Sequence, residues 1–364
     1  MPAMFKHLHE LDPQKSSSAV MSCEEGSASA ARFSIRDVND VYSECTDRIT
    51  AFLQTYAEMI GSIKKLHTDT LNASPWHRLA SLRLDALMSN AELGRSLPIP
   101  VDNIVDLLKQ EISDIEAQMR KDDTVTKECG CDKLLEFIDT LQSKRVTIAG
   151  QFIGERIVSL VNDGNRVLTY GYNSVIARGL IGARQEEGKD FEVTVIDAPP
   201  RYTGRRMLHS LQSAGIPCSY CLIGAASRVV KEADTILLGA HAYMANGAMV
   251  GPVGTAMVAA IANDRHKPIL AVCETIKFCN QVQIDSVAHN ELYPAGQMVS
   301  PASPLHGVEN GPKVLNIAYD VTSADDIAGV ITELGLFAPS AVPAVMREYS
   351  KDSRDIVEER IVSE

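Results

Sequence analysis

The sequence lacks several things whose absence narrows its function. No run reaches the ~18–20 uninterrupted apolar residues of a membrane-spanning helix. The opening Met1-Pro-Ala-Met-Phe-Lys-His-Leu-His-Glu10 has no apolar stretch to serve as a signal peptide. No membrane association is expected. Positive charge is also short: 35 Lys and Arg against 47 Asp and Glu leave a formal net charge of −12. Broad nucleic-acid binding needs a positive field that displaces counterions from phosphates, so direct grip on nucleic acid is not expected. No Gly-x-Gly-x-x-Gly follows the first strand pattern and no Gly-Lys-Ser/Thr phosphate loop occurs, so the two simplest nucleotide-binding readings have no support. No internal repeat is present.

What is present describes an ordinary globular chain. The 364 residues are 45% hydrophobic and 23% charged, long enough for two domains of ~150 residues and for a core without metal or disulfide staples. The eight cysteines, in a long chain without a secretory signal, read as reduced thiols, and cytoplasm is the expected compartment.

Four segments follow from composition and periodicity. Residues 1–31 include a small, polar stretch from Asp12 and are expected to be flexible. Residues 32–145 read as a helical domain. Ile49, Phe52, Leu53, Tyr56, Ile60, Ile63 and Leu66 recur at three- and four-residue steps. Leu79, Leu82, Leu84, Leu87 and Met88 begin a second helix, and Ile104, Leu107, Leu108, Ile112, Ile115 and Met119 mark a third. Residues 146–346 change rhythm: β-branched runs at 166–170, 191–196, 218–223, 235–238, 269–273 and 315–319 alternate with helical stretches. Near-continuous apolar strands separated by helices predict an α/β fold, a doubly wound, mostly parallel, Rossmann-like sheet covered on both faces. Residues 347–364 are a charged tail.

In open α/β sheets ligands bind beyond the carboxyl ends of the strands. That rule selects a crevice with Tyr170, Gly171 and Asn173 after the first strand and Asp197 and Arg201 after the second. It adds His241 and Asn246 after the fourth, with Cys273 after the fifth. His241 titrates near neutrality and could be an acid or base, but no Asp or Cys shares its segment, so a structural histidine is the competing reading. Asp197 and Arg201 fit either a polar ligand or a local loop pair. Cys218-x-x-Cys221 resembles a redox or zinc motif, yet it lies in a predicted strand where positions three apart face opposite sides, which favours buried structural thiols. Cys129-Gly-Cys131 falls in a charged stretch read as a turn, without a second Cys/His pair to complete a metal site. Cys273 and Cys279 are either reactive or ordinary core thiols. No metal and no cofactor is expected.

The segment Leu237-Leu-Gly-Ala-His-Ala-Tyr-Met-Ala-Asn-Gly-Ala-Met-Val-Gly-Pro-Val-Gly-Thr255 resembles the signature of a superfamily. That superfamily unites methylthioribose-1-phosphate isomerases, ribose-1,5-bisphosphate isomerases and the alpha, beta and delta regulatory subunits of eukaryotic translation initiation factor 2B. Cys273-Glu-Thr-Ile-Lys-Phe-Cys279, Ser286-Val-Ala-His-Asn-Glu-Leu292, Leu315-Asn-Ile-Ala-Tyr-Asp-Val321, Ile331-Thr-Glu-Leu-Gly335 and Pro339-Ser-Ala-Val-Pro343 are similar to the delta branch. So is Met4-Phe-Lys-His-Leu8.

The resemblance implies a test between enzyme and non-enzyme. The isomerases move protons with a cysteine after the first strand and an aspartate in Asn-Gly-Asp, and an Asn-Lys pair helps bind the sugar phosphate. Matched onto this chain, those positions hold Gly171, Ala248, and Gly251 with Pro252. Glycine and alanine have no titratable atom for acid–base work. The resemblance therefore implies a regulatory subunit of the guanine-nucleotide exchange factor for initiation factor 2. Its partners would be the alpha, beta, gamma and epsilon subunits, and initiation factor 2 with its phosphorylated alpha subunit. Asn246, Gly254 and Thr255 would still shape a degenerate crevice, Leu315, Asn316 and Ile317 would lie at a subunit interface, and Arg78, Arg83 and Arg95 are candidates for the phosphorylated substrate. A divergent isomerase using Tyr170, Asp197, His241 or Cys273 is the alternative.

Overall fold

The computed structural model describes residues 44–65, 76–92, 98–121, 127–282, 290–299, 303 and 313–351. The expected flexible segment, most of the charged tail, Arg95 and most of 286–292 lie outside them.

Four helices come first: α1 Cys45–Lys65, α2 Trp76–Glu92, α3 Ile99–Lys121 and α4 Lys127–Gln142. The predicted stripe of α1, from Ile49 to Ile63, is buried in one core with Leu84 and Leu87 of α2, Ile104, Leu108, Ile112 and Ile115 of α3, and Leu134 and Ile138 of α4. Leu82 differs: it is exposed, because it sits off the 3.6-residue stripe set by Ala80, Leu84 and Leu87. Asp47 in the first turn of α1 and Lys64 and Lys65 in its last oppose the helix dipole.

Helix α4 runs on through a π-helical turn, Ser143–Ile148, into α5, Ala149–Leu160. Within that turn Thr147 Oγ1 donates to the Gln142 carbonyl five residues back. The helix therefore passes from the helical core to the sheet without a loop. Helix α5 packs on α6 (Ser174–Gln185) at a glycine contact: a Cβ on Gly179 would stand 2.7 Å from Ile157 Cβ and 3.0 Å from the Gly154 carbonyl oxygen.

Eleven strands are present among the described residues: β1 Arg166–Tyr170, β2 Glu192–Asp197, β3 Cys218–Leu222, β4 Thr235–Gly239, β5 Ala242–Met244, β6 Met249–Pro252, β7 Ile269–Val272, β8 Phe278–Cys279, β9 Tyr319–Thr322, β10 Gly329–Thr332 and β11 Gly335–Phe337. The main sheet has the order β11-β10-β7-β4-β1-β2-β3, parallel except for the β10–β11 hairpin. Its direction of winding reverses between β1 and β4, the switch point of a doubly wound sheet. Helices α7 (Gly204–Ser213), α8 (Ala226–Glu232), α9 (Thr255–Asp264) and α10 (Val342–Lys351) complete the order.

Two expectations need correction. The run at 315–319 is not a strand of the main sheet. Strand β9 begins at Tyr319 and pairs with β6 in a second sheet, β8-β5-β6-β9, while Ile317 makes only an isolated bridge with Leu292. The sixth parallel strand is β10, whose four residues are all buried. Cys129 and Cys131 lie on α4 rather than in a turn, with Gly130 against the Trp76 indole. Among the described residues no helix is long and apolar enough to cross a membrane.

Candidate functional site

A cavity of about 310 Å³ opens beyond the carboxyl ends of β1, β2 and β4, at the switch point. Of the crevice residues expected from sequence, Tyr170, Asn173, Asp197, Arg201 and His241 line it. Each is held by the local fold. Tyr170 donates its hydroxyl to the Val253 carbonyl, and burial pushes its pKa up. Asn173 caps α6, its Oδ1 accepting from Val175 N at 3.1 Å and Ile176 N at 2.9 Å. Asp197 accepts from Ala198 N at 2.9 Å and from the Tyr220 hydroxyl at 2.8 Å. Arg201 donates to the Tyr293 hydroxyl at 2.6 Å and lies over that ring. His241 stacks on Tyr319 with ring centroids 4.1 Å apart.

The other expected residues shape the surroundings without lining the cavity. Gly171 has φ +64°, and a Cβ there would stand 3.0 Å from Thr203 Oγ1. Ala248 is buried with Ala242, Met244, Val250 and Cys279 in the second sheet, an apolar setting. Asn246 turns the β5–β6 hairpin, its Oδ1 accepting from Ala248 N at 3.2 Å. Gly254 precedes α9 with φ +106°, and Thr255 Oγ1 donates to the Pro252 carbonyl at 2.6 Å. The amides of Gly254 and Ala256 donate to Asp320, which caps α9 from β9; burial raises that carboxyl to about 6.

The three residues assigned to an interface do not share one environment. Leu315 is 53% exposed, Asn316 is 4% exposed, and Ile317 is half-buried on the cavity wall. Asn316 Nδ2 donates to the Pro294 carbonyl at 3.0 Å and to Gln297 Oε1 at 3.2 Å, tying the preceding loop in place.

Tyr172, within the expected segment 170–174, also lines the cavity, and so do Glu44, Cys45, Arg206, Lys277 and Tyr293, which sequence reasoning did not select. Glu44 Oε1 accepts from Ser174 N at 2.9 Å, and burial raises its carboxyl above the ordinary range. Burial alone would raise the Glu274 carboxyl and lower the Lys277 ammonium. Their 2.7 Å ion pair overrides both, leaving Glu274 below and Lys277 above their ordinary values. Glu44 and Cys45 come from the start of α1, Arg206 from the first turn of α7, Lys277 from the turn that follows β7, and Tyr293 from the loop before β9.

Cys218, Cys221, Cys273 and Cys279 are packing groups. Cys273 and Cys279 are buried and burial pushes both thiols up. Cys218 and Cys221 are half-buried rather than buried, because β3 is an edge strand; they pack on opposite faces of the sheet, as the spacing predicts. Among the described residues no group of three His, Cys, Asp or Glu could hold a metal ion. Arg78 and Arg83 are exposed on α2, away from the cavity wall.

A doubly wound sheet behind a helical unit, with a polar crevice at its switch point, defines a Rossmann-like α/β protein. The chain belongs to the Initiation factor 2 subunit family, which it matches over residues 48–339. It is 34% identical over 269 residues to translation initiation factor eIF2B subunit delta of Schizosaccharomyces pombe, covering 71% of this chain and 56% of that one. The delta subunit of Dictyostelium discoideum is 28% identical over 313 residues, covering 84% and 48%. This chain thus spans about half the length of those relatives. Ribose 1,5-bisphosphate isomerase of Pyrococcus furiosus is 31% identical over a shorter 199 residues, 54% of this chain and 60% of that one. Among solved structures, the tetrameric eIF2B-beta2-delta2 complex from C. thermophilum aligns with a TM-score of 0.73 at 27% identity, covering 85% of this chain and 92% of that one.

Proposed function

We propose that this chain is a non-catalytic regulatory subunit of the guanine-nucleotide exchange factor for initiation factor 2. In that role it assembles with alpha, beta, gamma and epsilon subunits in the cytoplasm and helps sense phosphorylation of the alpha subunit of initiation factor 2. The observation that carries the reading is the pair of positions matched to the isomerase cysteine and aspartate. Gly171 has a left-handed backbone and Ala248 sits in an apolar cluster, so neither offers a group that could move a proton. The similarity to delta subunits and to a beta–delta complex supports partnership with a beta-type subunit; the remaining partners follow from the proposed role.

The surface around Leu315 supports assembly. Leu292 and Met298 are exposed with it on the loop that Asn316 braces, which gives apolar area for a neighbouring subunit. Arg78 and Arg83 remain candidates for a phosphorylated partner, since planar guanidinium binds phosphate bidentately. Co-purification of the tagged chain from its own cells, with mass spectrometry of what elutes, tests the reading. Recovery of other exchange-factor subunits and initiation factor 2 is expected. A lone homo-oligomer that turns over ribose 1,5-bisphosphate would establish the isomerase reading instead.

A further inference from the structure

Three arginines in a chain of net charge −12 lie within six residues of one another, Arg201 and Arg206 on the cavity wall and Arg205 next to Arg206, each set on a tyrosine ring. Arg201 lies 4.7 Å from the centroid of Tyr293, Arg205 4.4 Å from Tyr202, and Arg206 4.0 Å from Tyr172. Arg205 and Arg206 are adjacent and exposed on the first turn of α7; Arg205 also meets the Tyr220 hydroxyl and Arg206 the Tyr172 hydroxyl, contacts that hold part of each guanidinium and leave its remaining N–H groups toward solvent. Stacking fixes a guanidinium plane while its N–H edge stays available for a carboxylate or phosphate. Tyr202 holds its ring beneath Arg205 from a backbone with φ +50°, a conformation that costs a non-glycine residue energy and needs support from its surroundings.

The cavity wall sets the carboxylates of Glu44 and Asp197 beside Arg201 and Arg206, and Lys277 is already paired with Glu274. Arg205 lies off that wall, so a small anion inside the cavity meets Arg206 but not Arg205, whereas an anionic segment lying along the first turn of α7 meets both.

We propose that the first turn of α7, with Arg205 and Arg206 on their tyrosine seats, is a docking surface for an acidic segment of a protein partner. The surface does not require the exchange-factor reading and is tested apart from it. The probe is a fluorescein-labelled octaglutamate peptide, followed by anisotropy on the full chain at low ionic strength. The chain's overall charge repels such a peptide, so binding reports a local field. Saturable binding that weakens with salt is expected. The double variant Arg205→Ala/Arg206→Ala should lose at least about tenfold in affinity and Arg205→Lys/Arg206→Lys less, since lysine keeps charge but not the stacked fork. Arg228→Ala, which removes an exposed arginine on α8 already paired with Glu232, should change nothing. Circular dichroism checks that each variant is folded. Absence of binding, equal loss in Arg228→Ala, or wild-type affinity in the double alanine variant overturns the proposal. Displacement of the peptide by inorganic phosphate or ribose 5-phosphate at micromolar concentration would identify a small anion as the occupant and overturn it equally.

Discussion

Lys277 Nζ lies 2.7 Å from Glu274 Oε2, and the two side chains are almost wholly buried where the helical core meets the sheet. Thr46 at the start of α1 donates to the other Glu274 oxygen at 3.0 Å, so the pair also fixes the first helix to the end of β7. The same turn of α1 places Glu44 on Ser174 N and Arg48 3.9 Å from Glu291. Three polar residues at alternate positions thus dock one helix onto the crevice.

Breaking that pair from one side leaves the other charge buried. Glu274→Gln strands the Lys277 ammonium and is expected to lower stability by about 3–5 kcal/mol. The double variant Glu274→Gln/Lys277→Met removes both charges and should recover much of the loss. Urea denaturation of the two variants checks the order. Equal losses in both would show that packing rather than charge sets the cost.

The residues around this junction also show what periodicity can reveal. The stripe from Ile49 to Ile63 and the apolar runs of β1, β2, β4 and β7 were legible because each repeats over enough residues to display its period. The second sheet was not: β5 and β8 have three and two residues, too few for an alternation to appear. At 315–319 the composition is strand-like throughout, and the choice of Tyr319 as the start comes from pairing with Pro252 across the second sheet, a tertiary fact. The strand-end rule reached Tyr170, Asn173, Asp197, Arg201 and His241. It could not reach Glu44, Arg206 or Tyr293, which other elements and loops bring to the same cavity.

Glu333, in the β10–β11 turn, gives the fold a pH dependence of definite sign. Its carboxylate accepts from the Thr275 amide and hydroxyl, yet burial outweighs these bonds and raises it to about 7 from 4.5. Between those values the folded chain holds a proton that the unfolded chain has released. Stability from this group is therefore lost as pH rises through the window. Glu333→Gln should flatten the decline by at most roughly 3 kcal/mol between acid and neutral pH. Denaturation midpoints of wild type and variant from pH 4.5 to pH 8 read the difference; parallel curves would show that Glu333 does not titrate there.

Leu315 separates folding from assembly. Its side chain is largely exposed, so Leu315→Asp should change the stability of the isolated chain by no more than about 0.5 kcal/mol. Placed in an apolar subunit contact, the same carboxylate should weaken association by tenfold or more, on the order of 1.4 kcal/mol. Asn316→Ala should do the reverse, costing the fold about 1–3 kcal/mol through the Pro294 and Gln297 bonds it removes. Thermal melts together with light scattering of the co-expressed complex distinguish the two. Normal assembly by Leu315→Asp would move the contact elsewhere.

A cysteine at Gly171 and an aspartate at Ala248 test the positions that the proposed function matches to the isomerase pair. Gly171→Cys must hold a side chain at φ +64°, a left-handed position costing roughly 1–2 kcal/mol, with its Cβ close against Thr203 Oγ1. Ala248→Asp buries a carboxylate among Ala242, Met244, Val250 and Cys279, where no donor from those side chains satisfies it, at a cost of several kcal/mol. Ala248 does not line the cavity, so the introduced carboxylate would not face a substrate there. The double variant is therefore expected to be destabilised and to show no turnover of ribose 1,5-bisphosphate, as is the unaltered chain. Product formation by the double variant, followed by phosphorus resonance spectroscopy, would mean that the crevice still holds a sugar phosphate in reactive geometry and that two side chains alone separate this chain from an enzyme.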